Sequence, residues 1–306
     1  MMFSVGTLMA SSHSRYSILL LVVAILAVGP AAVLIRLADA PPISVAFYRL
    51  VTASITIGGI VVARGGRDLL GLDRRSLWLS IGSGALLALH FGSWISSLDH
   101  TSVANSVLIV TTQPVFAALL GVWFLKERVK GAVFGAIGLA LAGSVIISGG
   151  NPQIGGWYGD LLALIGAVMA AAYLIVGRKV RRTVTTFGYV LIAYTTAAVV
   201  LGIWAVAIDS PLTGFPADSW MWMILAGLGP SVIGHTLYNR ALKEFSAHTV
   251  STTILGEPVV ATALAAVVLA EYPSPWALIG AIPILVGVIW AIRLERSERI
   301  GIDQAI

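Results

Sequence analysis

Cysteine is absent from the 306 residues, which excludes disulfides and thiolate metal sites. Charge is scarce: 11% of residues are Asp, Glu, Lys or Arg, against about 25% in soluble domains. Water is therefore not the main solvent of this chain. No GxxxxGK[ST] run occurs, which argues against a self-contained ATP-driven pump. The five histidines, His13, His90, His100, His235 and His248, lack metal-ligand spacing. Gly82-Ser83-Gly84 does not sit in the strand-turn-helix pattern of a nucleophile elbow. Neither an enzyme nor a cofactor is expected.

Long apolar runs are what the chain has instead. Apolar residues make up 58%, and the mean hydropathy is +0.94. About 20 apolar residues cross a bilayer core as a helix. By that measure ten spans are expected, near 17–38, 43–64, 77–97, 102–125, 131–148, 158–177, 187–207, 220–241, 248–270 and 276–293. Ala38-Asp39-Ala40 resembles a signal-peptidase site, but the preceding run is long for a signal peptide and many spans follow. With the N-terminus in the cytoplasm, 17 of the 19 Lys and Arg residues fall on cytoplasmic segments. Only Arg36 and Arg49 do not. The net charge of +5 then reflects topology, and no nucleic acid is expected as a partner. Eight tryptophans, Trp78, Trp123, Trp157, Trp204, Trp220, Trp222, Trp276 and Trp290, lie near expected span ends, as an interfacial belt requires.

The stretch Thr101 to Glu127 returns 144 positions later as Phe245 to Glu271. Without a gap, Ser102 meets Ser246, Pro114 meets Pro258, Ala117 meets Ala261 and Glu127 meets Glu271. Farther on, with one inserted residue, Phe134-Gly135-Ala136-Ile137 falls on Ile279-Gly280-Ala281-Ile282. The chain reads as a duplication. A unit of five spans crosses an odd number of times, so its second copy enters the membrane from the opposite face. The expected fold is an all-α integral membrane protein of ten transmembrane helices, built as two inverted five-helix repeats over 17–148 and 158–293. Residues 1–16 and 294–306 are expected to be cytoplasmic tails. Inverted repeats are typical of secondary transporters, with the cargo near the midplane where the halves meet.

Further residues carry a family resemblance. They are Ala46-Phe47-Tyr48-Arg49, Thr101-Ser102-Val103-Ala104, Gln113-Pro114, Leu125-Lys126-Glu127, Gly159-Asp160, Glu257-Pro258 and Ala270-Glu271. Over about residues 17–293 the chain resembles the drug/metabolite transporter superfamily, specifically its ten-span EamA-type permeases. That resemblance implies a helical bundle around a central cavity, in the plasma membrane (the inner membrane of a prokaryote). It also implies export of amino acids or other small metabolites.

Several residues could carry that work. Pro114 and Pro258 lie mid-membrane, and each removes a backbone donor, freeing the carbonyl of Val110 or Ile254. They are either packing kinks or a symmetric pair of flexing points. Pro30, Pro230 and Pro283 are expected to add breaks, and Gly227, Gly229, Pro230 and Gly234 make the eighth span the most interrupted. Glu257 lies about ten residues into the ninth span. An ionisable group at that depth is costly and is a candidate for binding and releasing a proton; the alternative is a hydrogen-bonded structural role. Its repeat partner Gln113 cannot titrate, so proton coupling would be carried by one half only. Arg49 could hold a cargo carboxylate with two parallel bonds, pair with Glu257, or reach back to the interface. His235, Tyr238 and Asn239 share one helical face, and so do His90, Trp94 and Ser97. Either these line a cavity for a small amphipathic cargo or they join helices. Asn105, Thr112, Thr249, Thr252 and Thr253 have the same two readings. Gly131 and Gly135 permit close helix packing, within the bundle or between protomers. Glu127 and Glu271 are expected to be capping or solvated groups.

The expected function is a permease exporting small metabolites by alternating access, with Glu257 as a proton site. Two alternatives are an uncoupled facilitator or multidrug-type permease and a flippase for lipid-linked substrates. Expected partners are a small-molecule substrate, membrane lipids and protons, for a monomer or homodimer.

Overall fold

A computed structural model describes residues 18–101, 106, 109–127, 129–147, 157–268 and 275–303. Among these residues the fold is all helical, with no strand. In chain order the helices are α1 (18–28), α2 (Ala31–Ala38), α3 (Pro42–Ala63), α4 (Arg74–Ser97), α5 (Gln113–Leu125), α6 (Gly131–Ile147) and α7 (Trp157–Val180). They continue with α8 (Thr186–Ala207), α9 (Ala217–Ala226), a π-helical segment (Gly227–His235), α10 (Thr236–Ala241), α11 (Ala247–Ile254), α12 (Glu257–Val268) and α13 (Pro275–Asp303).

Local chemistry explains most boundaries. Pro42 opens α3 inside its first turn, where the missing N–H has no helical acceptor to lose. Asp73 caps α4 by accepting from the Ser76 backbone N–H at 3.0 Å, and Ser76 holds its carboxyl below the usual carboxylate range. Thr185 caps α8 through the Gly188 N–H at 3.1 Å. Ser246 caps α11 through the Thr249 N–H at 3.3 Å.

Among the described residues, six stretches are long and apolar enough to cross a membrane: Ile18–Ala38, Pro42–Ala63, Arg74–Ser97, Trp157–Val180, Thr186–Ala207 and Leu278–Glu295. Among the described residues the other four expected spans hold shorter helices. The ladder pauses at residues 111–112 and restarts at Gln113-Pro114; it pauses again at 255–256 and restarts at Glu257-Pro258. These are equivalent positions of the sequence repeat. The eighth span changes to π geometry across Pro230, and the fifth is a helix of 17 residues. Pro30 also stands at a break, between α1 and α2. Pro283 does not: α13 runs through it unbroken. Neighbouring groups in a bundle can satisfy the one bond such a proline removes. Beyond the expected tenth span, α13 continues to Asp303. Its Glu295 turns inward and accepts from the Ser246 N–H at 3.1 Å.

Helices pack through small residues, as expected where lipid supplies no hydrophobic drive between them. A Cβ on Gly84 would stand 2.5 Å from the Ala193 carbonyl oxygen, and one on Gly143 would stand 2.5 Å from that of Gly280. Gly135 faces Trp290 of α13, so its close contact is within the chain, whereas Gly131 faces open space. Gly84→Val should cost about 1–3 kcal/mol of stability through overpacking against backbone. Gly82→Val, which meets nothing within 4 Å, is the matched control. Thermal unfolding in detergent compares the two. Large apolar side chains such as Val267, Trp123, Val62 and Ile55 are 70–83% exposed on the outer faces of helices. Trp204, near the end of α8, packs where Gly92 of α4 lacks a side chain.

Candidate functional site

The helix interruptions converge. A Cβ on Gly29 would lie 2.3 Å from Val260 of α12, and one on Gly234 would lie 2.2 Å from Val28 of α1. The break beside Pro30, the π segment and the break before Pro258 therefore meet. All three border one cavity of about 130 Å³, which the break before Gln113 also lines. Irregular backbone at membrane depth is tolerated where it lines a cavity. Val110 and Ile254, whose carbonyls lose their partners to Pro114 and Pro258, are both in its wall.

Arg49 is fully buried on α3. Its Nε donates to Ser231 Oγ in the π segment at 2.7 Å, and its guanidinium carbon lies 4.3 Å above the Phe91 ring. The remaining two nitrogens have no hydrogen-bond partner among the described residues. Among the described residues Arg49 makes no ion pair within 4 Å, and at 0% exposed it does not reach back to the interface. Glu257 is half-buried at the first position of α12 and lines the same cavity. Gln113 lines it from the first position of α5. The repeat thus places one amide and one carboxyl at matching helix starts.

An aromatic wall completes the site. His90 Nδ1 lies 2.9 Å from the Gly166 carbonyl, which only a protonated nitrogen can satisfy. In the neutral ring Nε2 is then an acceptor. Trp94 stacks on His90 at 6.0 Å and 4°, and its buried indole N–H has no partner among the described residues. Phe91 meets His235 at 5.4 Å, and His235 meets Tyr238 at 6.3 Å. All of these line the cavity.

Some expected residues lie elsewhere. Asn239 is buried behind the wall, donating to Tyr173 Oη at 2.5 Å and to the His235 carbonyl at 2.7 Å. Ser97 bonds to Ser106 and the Trp94 carbonyl, and Thr112 bonds to the Ile109 carbonyl. Thr252 and Thr253 bond to carbonyls of their own helix. Tyr48 donates to the Leu212 carbonyl and packs on Trp220. Asn105 and Glu271 fall outside the described residues. Glu127 is not a solvated end group; it is 14% exposed and sits beside Arg178 and His248. Sequence reasoning missed Ser231, Ser251 and Tyr173. Ser231 follows Pro230 directly, so the density of Gly and Pro there was the one available signal.

Comparison with known proteins decides the family. A model of the EamA-like transporter family matches residues 15–149 and again 157–293. The chain belongs to the EamA-like transporter family. This places it in the drug/metabolite transporter superfamily, as a multi-pass membrane transporter and not a member of an enzyme family. An "uncharacterized transporter" of Clostridium kluyveri is 30% identical over 204 residues, 63% of this chain. The chain spans 64% of that relative's length, just under two thirds. The Bacillus subtilis transporter YxxF is 23% identical over 269 residues, 84% of this chain and 83% of its own. A "probable terminal-alkyne amino-acid exporter" of Streptantibioticus cattleyicolor is 26% identical over 204 residues, 65% and 67% of the two chains. One solved crystal structure superposes with a TM-score of 0.77 over 92% of this EamA-family chain and 98% of the other. At 21% identity it supports the fold alone.

Proposed function

We propose that this transporter exports small zwitterionic metabolites, amino acids or close relatives, by alternating access. In this reading ten crossings form two inverted five-helix halves, residues 17–148 and 158–293, with both termini in the cytoplasm. Cargo sits between them, and Glu257 carries a coupling proton. The observation that carries the reading is the pair of repeat-related helix breaks, at Gln113-Pro114 and Glu257-Pro258, opening on one cavity. Discontinuous helices that meet at a repeat interface are the usual setting of transporter cargo sites.

The cavity offers both charges of a zwitterion. Arg49 turns two unpartnered nitrogens to a carboxylate, and Glu257 can take an ammonium group or a proton. At about 130 Å³ it is smaller than the roughly 300–1,000 Å³ of drug-sized sites, which favours a cargo of few atoms over a bulky drug. The amino-acid exporter among the relatives agrees with this class. Purified protein in liposomes, preloaded with unlabelled amino acids, is expected to exchange them for labelled ones outside. An imposed pH gradient is expected to drive net accumulation. Exchange without any response to the gradient would favour an uncoupled facilitator. Movement of lipid and of no soluble amino acid would overturn the proposal.

A further inference from the structure

Outside the cavity, a heavily built polar cluster lies at the start of α11. Four elements supply it: Glu127 just past α5, Arg178 near the end of α7, His248 on α11 and Glu295 on α13. Glu127 Oε1 lies 3.5 Å from Arg178 Nε, and its Oε2 lies 3.9 Å from His248 Nδ1. The other imidazole nitrogen lies 3.9 Å from Glu295 Oε2 and 3.2 Å from Ser246 Oγ. Glu295 also accepts from the hydroxyls of Ser246 and Thr249. All four chargeable side chains are only 7–17% exposed.

The backbone is shaped to hold this cluster. Lys126 adopts the left-handed conformation at φ 55°, uncommon for a residue with a side chain. That turn folds Glu127 back beneath α5, where its N–H donates to the Gly121 carbonyl at 3.1 Å. Gly121 leaves the space: a Cβ there would stand 3.1 Å from Glu127 Oε2. Sequence alone suggests a capping or solvated carboxylate at a helix end; the turn puts it inside.

The charge balance points to a missing proton. Among the described residues two carboxylates face one permanent cation, and Glu127 Oε2 is buried there with no hydrogen bond. The helices packed on α11 bring Glu127, Arg178 and Glu295 toward His248, while Lys126, Lys179 and Arg293 beside them are exposed. A proton on His248 cancels the surplus charge. Both ring nitrogens then donate, one toward each carboxylate. Glu127 belongs to the first repeat, His248 to the second, and Glu295 to the part of α13 that runs on past it. The added proton therefore ties the two repeats together at this end.

We propose that His248 is a second proton site, separate from Glu257, and that its protonation clasps the two repeats shut at the end of α11 away from the cavity. The link to the cavity is short. The helix α11 has eight residues, about 12 Å. Its far end is the 255–256 break, and Ser251 between them lines the cavity. Motion at the clasp passes along about two rigid turns of helix to the wall that holds Glu257. Loss of the proton leaves two like charges in a confined space and loosens the joint.

The absence of native cysteine makes the test direct. Gly131→Cys meets open space in the first repeat, and Lys243→Cys is exposed in the second. Spin labels at these two sites, in the full chain in lipid nanodiscs, report their separation by pulsed EPR. A short distance is expected to dominate at about pH 5, and a longer one to grow in by about pH 8, the range in which histidine titrates. His248→Gln keeps a hydrogen bond to Ser246 and cannot gain charge, so it should remove the shift. Glu295→Gln should shrink it, and His100→Gln should leave it as in the parent. An equal shift in His248→Gln, or in Glu295→Gln if the former does not fold, would overturn the proposal. A distribution with two populations that ignores pH would also overturn it while leaving alternating access intact.

Discussion

Glu257→Gln is expected to abolish accumulation driven by a pH gradient while the protein folds and still exchanges cargo. Glutamine keeps the size and one hydrogen-bond acceptor of glutamate but carries neither charge nor proton. It also recreates at the second helix break the residue that stands at the first, Gln113. The fold evidently accommodates an amide at such a helix start, so large destabilisation is not expected. Flux measured with and without the gradient should become equal in the variant. A gradient response as large as the parent's would show that the coupling proton binds elsewhere. Asp at this position would keep the charge and shorten its reach, so partial coupling should survive.

Arg49→Lys should weaken cargo binding far more than its conserved charge suggests. The guanidinium makes two commitments already, Nε to Ser231 at 2.7 Å and its face to Phe91 at 4.3 Å. Those contacts aim the two unpartnered nitrogens. An ammonium cannot bond to Ser231 and offer a paired edge together. Hydrogen bonds to a charged group contribute about 1.5–3 kcal/mol each, so affinity should fall by about tenfold to more than a hundredfold. Arg49→Ala should lose binding altogether and lower the unfolding temperature, because Ser231 and Phe91 lose their partner. Calorimetric titration with a panel of amino acids and their decarboxylated amines separates the cases. If the amines bind the parent protein as well as the acids do, Arg49 does not hold a carboxylate.

Much of this architecture was legible in the sequence because membranes punish irregularity. Pro114 and Pro258 stand at matching places in the repeat, and the helices break there. Arg49 and Glu257 were conspicuous as charges inside apolar runs, and both line the cavity. What was hidden depended on direction. Gly227, Gly229, Pro230 and Gly234 announced an interruption but not its π geometry, nor that Ser231 would steer Arg49. Asn239 shares a helical face with His235 and Tyr238, yet the bundle turns it toward Tyr173. Pro283 has the same chemistry as Pro258 and leaves its helix intact. Arg181 is among the basic residues assigned to cytoplasmic segments, and it is 2% exposed, bonding to the carbonyls of Asn239 and Val184 and to Thr186. Burial lowers its guanidinium to about 10, with Arg240 adding to the effect, and it stays charged at neutral pH. Long side chains such as this one, and the left-handed turn at Lys126, are set by tertiary contacts that no local pattern encodes.

The central claim is that two copies of one unit lie upside down to each other and share a cargo cavity. Single cysteines at Gly131 and at Trp276, the repeat-equivalent starts of α6 and α13, test it in intact cells with a membrane-impermeant maleimide. The account predicts that Gly131→Cys reacts only after the membrane is opened, and that Trp276→Cys reacts from outside. Labelling of both from the same face would contradict it.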